Sequence, residues 1–184
     1  MVKAMKLVGV AAHSGSYGED LEKTSRRFVA LLAKKCSDNV ALVLGGYWGL
    51  MKVVVDEALS WGLTVVILPP VEKEDVDFPE KAIVIRSGTS YRARSVILAR
   101  SSDVLVALGG GAGVIQEVVT AYTESKPVFL LKSGMDSDRL ESLAPHLDYR
   151  KLSPILVYNN IEALVNDLCL YLTELKSRAS SEHG

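Results

Sequence analysis

Residues 104–131 read VLVALGGGAGVIQEVVTAYTESKPVFLL, and they give the clearest indication of the fold class. The stretch begins with an apolar run at 104–108, which predicts a buried strand. A glycine-rich segment follows at 109–113, and residues 114–124 have the spacing of an amphipathic helix. A second apolar run occupies 127–131. A strand, a glycine-rich turn, a helix and a strand in this order predict one strand–helix–strand unit of a parallel sheet.

The same alternation continues outward in both directions along the chain. Apolar runs predict further strands at 6–12, 39–44, 64–68, 81–85 and 155–158. Helical spacing predicts helices over 20–36, 50–61, 90–100, 136–143 and 161–175. We therefore expect an α/β protein with a Rossmann-like, three-layer αβα fold and a mainly parallel sheet of about seven strands. We expect a single nucleotide- or phosphate-binding domain over 1–175 and a flexible tail over 176–184.

Composition narrows the classes of function. The chain has 184 residues, of which 48% are hydrophobic, and this suits one domain with a large core. Its 21 basic and 22 acidic residues form no basic stripe, so we expect no nucleic-acid partner. The apolar run near the N-terminus is too short to span a bilayer, which favours a cytoplasmic protein without a membrane partner. Cys36 and Cys169 have no CxxC or Cys/His neighbours, so we expect reduced thiols and no metal site.

Three glycine-rich loops, at 13–18, 45–49 and 109–113, each follow a predicted strand and precede a predicted helix. In a parallel sheet all three lie at the carboxyl edge, where α/β proteins bind ligands. At 109–113 the free N–H groups and the positive dipole end of the next helix form an anion site. The loop has neither the Lys of a Walker A motif nor the GxGxxG spacing. We therefore predict a small, phosphorylated, nucleotide-type ligand there.

The side chains near these loops allow more than one interpretation. Glu117, one turn into the helix, would stabilise a positive sugar centre or move a proton, or would only complement the helix dipole. At most one of Arg92 and Arg94 is expected to face the site, because residues two apart project differently from a helix. Tyr47 and Trp48 would either stack on a base or pack against the domain itself.

The motifs resemble a known family. Residues 45–51, GGYWGLM, resemble the GGxxGLM segment of the Lonely Guy family, formerly called the "possible lysine decarboxylase" family. Residues 87–94, SGTSYRAR, and 95–117, SVILARSSDVLVALGGGAGVIQE, resemble the rest of its signature, and SKPV at 125–128 follows in order. The similarity covers residues 6–131. It is greatest to the branch that resembles molybdenum cofactor carrier proteins.

The resemblance implies a Rossmann-like homodimer or higher homo-oligomer whose glycine-rich loop holds a 5′-phosphate. By motif position it implies that Arg94 and Glu117 are catalytic residues for hydrolysis of a base–ribose bond. The loops and the resemblance together predict these phosphate- or ligand-binding residues: Ser14, Gly15, Ser16, Gly45, Gly46, Ser87, Gly88, Gly109, Gly110, Gly111, Ala112, Gly113 and Val114.

The chain departs from the family's enzymes at three positions. Val114 stands where they have Thr, Gly109 where they have Pro, and Ser95 where they have Lys. Three functions therefore stay open: a nucleoside 5′-monophosphate phosphoribohydrolase, a non-catalytic carrier of molybdenum cofactor (a phosphorylated pterin), and a nucleotide sensor. No cofactor is expected to be required, and the expected bound group is an AMP-like nucleotide or molybdopterin.

Overall fold

The computed structural model describes residues 5–181, with side chains described to residue 175. The strands are β1 Lys6–Ala12, β2 Val40–Leu44, β3 Thr64–Ile67, β4 Ile83–Val84, β5 Val104–Gly109, β6 Val128–Leu131 and β7 Ile155–Tyr158. The helices are α1 Glu19–Cys36, α2 Gly49–Ser60, α3 Tyr91–Ser101, α4 Ala112–Thr123 and α5 Ile161–Ser181, with 3-10 segments at Val71–Lys73 and Asp136–Leu143. None of the helices within residues 5–181 combines the length and the apolarity needed to cross a bilayer.

The seven strands form one sheet in the order β4-β3-β2-β1-β5-β6-β7. Every neighbouring pair is parallel, so the sheet is entirely and not only mainly parallel. Helices α1, α2 and α5 cover one face, and α3 and α4 cover the other. The predicted three-layer α/β fold with seven strands is therefore confirmed. From β1 the strands β2, β3 and β4 follow one another towards one edge of the sheet. The next strand, β5, lies on the other side of β1, and β6 and β7 continue towards the opposite edge, so the strand order reverses between β1 and β5.

Central strand β5 shows why the sheet is apolar on both faces. Val104, Val106 and Leu108 belong to the core formed with α1, α2 and α5. Leu105 and Ala107 lie between them and point into the core under α3 and α4. All five are fully buried, because alternate side chains of a strand enter opposite layers. The uninterrupted apolar run in the sequence has this physical origin.

Three element boundaries differ from the predicted ones. Helix α4 begins at Ala112, two residues early, because Gly111 acts as its N-cap. Strand β4 has only two residues and pairs only with β3, as is common for an edge strand. Helix α5 continues to Ser181, since residues 176–181 contain no Gly or Pro to stop it. The remainder of the predicted tail, 182–184, lies outside the described residues.

The expectation of two reduced thiols is wrong. Cys36 at the end of α1 and Cys169 in α5 form a disulfide, with their Cα atoms 5.6 Å apart. The two residues are 133 positions apart in sequence. Only the packing of α1 against α5 on the same sheet face brings them within bonding distance. No spacing rule for neighbouring cysteines detects such a pair.

Replacing both cysteines by serine is expected to lower the free energy of unfolding by about 2–4 kcal/mol. The disulfide closes a long loop, and its removal increases the conformational freedom of the unfolded chain. Urea denaturation without reductant measures the loss. Reductant should produce a similar loss in the unaltered protein and none in the double variant. An unaltered protein whose midpoint does not move after complete reduction, verified by mass, would contradict the prediction.

Candidate functional site

The candidate site lies where the strand order reverses. After β1 the chain turns into α1 on one face of the sheet, and after β5 it turns into α4 on the other. The two connecting loops diverge and leave a crevice outside the carboxyl ends of the strands. Ser14 of the first loop and residues 111–114 of the second line a cavity of about 460 Å³ in this crevice.

The start of α4 presents free backbone donors to this cavity. The first hydrogen bond of the helix runs from the Ile115 N–H to the Gly111 carbonyl (3.1 Å). The N–H groups of Gly111, Ala112, Gly113 and Val114 precede it and have no acceptor in the part of the chain that the structure describes. A Cβ atom on Gly111 or Gly113 would meet nothing within 4 Å, so the backbone there borders open space. All four residues line the cavity.

The two preceding glycines have another role. Gly109 has φ +120°, and a Cβ there would lie 2.4 Å from Oγ of Ser133. The Gly110 N–H donates to Oγ of Ser137 (3.2 Å), and the Ser137 N–H donates back to the Gly110 carbonyl (2.9 Å). Neither glycine lines the cavity. The free amides therefore begin at Gly111, and Gly109 and Gly110 fix the loop against the segment that follows β6.

Helices α3 and α4 bring a buried ion pair to the inner wall of the cavity. Nη1 of Arg94 donates to Oε1 of Glu117 at 2.7 Å, and each side chain is only 8% exposed. Oγ of Ser95 donates to the same oxygen at 2.9 Å. The other oxygen, Oε2, accepts no hydrogen bond from the described residues, and Glu117 lines the cavity. Ser95, at a departure from the family's enzymes, thus helps to hold the carboxylate.

The environment of Glu117 acts on its protonation in two directions. Burial raises the pKa of its carboxyl above the ordinary value, because a charge is poorly solvated in the interior. The Arg94 charge and the hydrogen bonds from Ser95 and Arg94 oppose this rise in pKa. Burial is the larger effect, so the net shift is upward. A fixed carboxylate with a raised pKa suits proton transfer or stabilisation of a positive centre.

The expectation that Arg92 and Arg94 do not face the site together is wrong. Both line the cavity, Arg94 buried on the inner wall and Arg92 exposed at the rim. The carbonyl of Arg92 also accepts a hydrogen bond from Nε2 of Gln116 (3.1 Å), which ties α3 to α4.

The predicted residues Gly45 and Gly46 do not line the cavity but support residues that do. A Cβ atom on Gly45 would lie 1.7 Å from Nη1 of Arg94. A Cβ atom on Gly46 would lie 2.3 Å from Cη2 of Trp48. The first glycine therefore makes room for the guanidinium group of the ion pair. The second makes room for an indole ring at the edge of the cavity.

The remaining predicted residues lie apart from the cavity. Gly15 packs beneath the ring of His13, and Ser16 is exposed on the loop after β1. Oγ of Ser87 and Oγ1 of Thr89 share a hydrogen bond of 2.7 Å. The Gly88 N–H donates to Oε1 of Glu74 (2.8 Å). The segment at 87–88 thus holds the loop that contains Glu74. Residues 87 and 88 themselves do not line the cavity.

The structure also brings residues to the cavity that the predicted site omits. Trp48, which the sequence suggests only as a stacking aromatic, lies at its edge. The sequence feature that could have identified Trp48 as a cavity residue is its position within the glycine-rich segment 45–49. The other cavity residues outside the predicted site are Ala12, His13, Met51, Tyr91, Arg92, Ser95 and Gln116.

Comparisons with known proteins agree with this architecture. A protein of Archaeoglobus fulgidus is 36% identical over 132 residues, which are 70% of this chain and 82% of that protein. The X-ray structure of TM1055 is 28% identical with a TM-score of 0.78, over 89% of this chain and 98% of that one. The Moco (molybdenum cofactor) carrier protein of Chlamydomonas reinhardtii is 25% identical with a TM-score of 0.74, over 92% of this chain and 99% of that one.

These matches extend over almost the whole length of both structural neighbours, so the likeness is not limited to the glycine-rich loops. A family model, that of the SLOG cluster4 family, matches residues 5–164, which include every strand, the complete cavity and the ion pair. The chain therefore belongs to the SLOG cluster4 family.

Proposed function

We propose that the cavity binds a phosphorylated, nucleotide-type ligand through its phosphate. The observation that carries the proposal is the row of free amides from Gly111 to Val114, which opens onto a cavity of ligand size. Such amides and the positive end of the α4 dipole hold phosphate oxygens well. The buried pair of Arg94 and Glu117 lies next to this anion site and faces the remainder of the ligand.

The charges of the cavity also favour an anion. Its charged side chains are Arg92, Arg94 and Glu117. The negative charge of Glu117 is paired with Arg94 inside the wall. Arg92 at the rim makes no ion pair with any described residue and supplies a positive charge where an anion would enter.

Replacing Gly113 by Asp is expected to weaken AMP binding about 100-fold. A carboxylate would stand where the phosphate binds, and two like charges about 4 Å apart in such a site repel by several kcal/mol. The fold should persist, because a Cβ atom there meets nothing within 4 Å and an acid in the first turn suits the helix dipole. Isothermal titration calorimetry with AMP measures the change.

Two controls separate charge from shape. Gly113→Asn adds a side chain of the same size without charge and should weaken binding much less. Gly18→Asp places the same acid at the N-cap of α1, where a Cβ atom also meets nothing, and should leave binding unchanged. Equal affinity for AMP in Gly113→Asp and the unaltered protein would rule out the phosphate site.

The reaction that this geometry suits best is hydrolysis of the N-glycosidic bond of a nucleoside 5′-monophosphate. Water adds to the ribose carbon as its bond to the base breaks, and the proton that the water loses passes to the departing base, which gives a free base and ribose 5-phosphate. Oε2 of Glu117 would stabilise the positive sugar centre or take the proton of the attacking water. Arg94 would orient that carboxylate. Binding of the phosphate at 111–114 would supply remote binding energy that positions the bond to be broken.

A second candidate function is a carrier of molybdenum cofactor, a phosphorylated pterin. Val114 favours it, because an apolar side chain replaces the family's threonine hydroxyl and packs against Gly110. The similarity to the carrier protein of Chlamydomonas reinhardtii agrees with this function. Native mass spectrometry of freshly isolated protein separates the candidates. A bound pterin without release of adenine from AMP supports the carrier, and turnover of AMP supports the hydrolase.

A further inference from the structure

We propose that Trp48 and Tyr91 form the base subsite of this cavity and select ligands with a bicyclic aromatic base. The inference rests on the proposed phosphate site and adds the recognition of the rest of the ligand. A second cavity of about 720 Å³ adjoins the first, and the two share Ser14, Trp48 and Tyr91. These aromatic side chains therefore stand at the boundary between two open spaces.

Trp48 is held in place but has no aromatic partner among the described residues. Its ring lies over the backbone of Gly46, where even a Cβ atom would collide with it. Its indole N–H donates to no described residue, and no described aromatic ring stacks on it. Trp48 packs against the apolar core but is only half-buried, so part of its ring and its indole N–H remain for a ligand.

Tyr47, the neighbouring aromatic residue, is already engaged. Its hydroxyl donates to Oδ1 of Asp56 (2.6 Å), and Nζ of Lys52 lies 4.4 Å from the centre of its ring. Tyr91, by contrast, is 39% exposed at the first position of α3 and lines both cavities. Of the two aromatic residues in the segment 45–49, Trp48 lines both cavities, whereas Tyr47 lines only the second and has Lys52 over its ring.

The size of the two spaces indicates the kind of base. A phosphate on the amides of 111–114 places the sugar beside Glu117 in the first cavity. The base then extends towards Trp48 and Tyr91, beyond which the second cavity gives it room. A two-ring purine or pterin covers more of an indole face than a one-ring pyrimidine, so stacking favours the larger base.

The test compares AMP with ribose 5-phosphate, which keeps the phosphate and the sugar but has no base. In Trp48→Leu we expect the affinity for AMP to fall about 5- to 100-fold, as for loss of one base–aromatic stack, and the affinity for ribose 5-phosphate to stay within about twofold. Trp61→Leu, at the other end of α2 and outside both cavities, is the matched control and should change neither affinity.

Fluorescence gives a second readout that does not depend on how Trp48→Leu folds. The chain has two tryptophans, so Trp61→Phe leaves Trp48 as the only one. In that variant AMP should quench the emission strongly, ribose 5-phosphate should quench it little, and UMP should bind more weakly than AMP. Unchanged AMP affinity in Trp48→Leu, or AMP binding to Trp61→Phe without quenching, overturns the base subsite alone. If neither AMP nor ribose 5-phosphate binds the unaltered protein, the phosphate site falls and the base subsite with it.

Discussion

Replacing Arg94 by Met is expected to lower the free energy of unfolding by about 3–5 kcal/mol at neutral pH. The substitution keeps most of the side-chain volume but removes the charge that faces Glu117. A buried carboxylate then remains with only the Ser95 hydroxyl as a partner. Folding removes the Glu117 carboxylate from water, and no positive charge then compensates for its lost hydration. This uncompensated loss is the main cost of breaking a buried ion pair. Urea denaturation at pH 7 measures the loss.

The loss in Arg94→Met should depend on pH in a defined direction. Burial already raises the pKa of Glu117, and without Arg94 that pKa rises further. The folded variant then holds the proton more tightly than the unfolded chain does. The contribution of Glu117 to the stability of the variant is therefore highest below the ordinary pKa of a glutamate, about 4.3, and decreases as the pH rises through the folded-state pKa. The deficit relative to the unaltered protein should be clearly smaller at pH 5 than at pH 7.5.

The double variant Arg94→Met, Glu117→Gln is the control for this interpretation. It removes both charges, so it should recover a large part of the lost stability and the pH dependence of the deficit should disappear. A single variant that is equally destabilised at pH 5 and pH 7.5 would show that the loss comes from packing and not from the unpaired carboxylate.

Glu117→Gln is expected to reduce the release of adenine from AMP by about 100- to 10,000-fold, while the affinity for AMP changes by no more than a few-fold. An amide has nearly the same shape, and its oxygen still accepts hydrogen bonds from Arg94 and Ser95. It does not accept a proton from water or stabilise a positive sugar centre as a carboxylate does. Single-turnover measurement of adenine release, alongside calorimetry with AMP, separates chemistry from binding.

Glu124→Gln provides the matched control for this measurement. Glu124 follows the last residue of the same helix, forms an ion pair with Arg100 and does not line the cavity, so its replacement should leave turnover unchanged. Turnover in Glu117→Gln equal to that of the unaltered protein would exclude the proposed chemistry. Absence of turnover in the unaltered protein, with AMP still bound, would leave the carrier function as the better explanation.

Several features of the site could be predicted from the sequence because they are local. Consecutive glycines after a buried strand predict a turn into a helix with free amides, and Glu117 follows one turn later. In the folded chain, however, the backbone N–H groups of the glycine-rich segment do not all face the cavity. The amides of 111–114 face the cavity, whereas the Gly110 N–H is bound to Ser137, a residue 27 positions away. Which glycine of a run faces a ligand depends on what packs behind it.

The alternation of strands and helices, the parallel sheet and the position of the glycine-rich loops follow from the amino-acid sequence alone, because each depends on the period of apolar residues or on backbone freedom within a few residues. Other features are visible only once the chain is folded: the strand order with its reversal at β1 and β5, the ion pair between Arg94 and Glu117, and the bond between Cys36 and Cys169. Each of these joins residues that are distant in the chain, and their contact depends on how whole helices pack on the sheet, which no local pattern records.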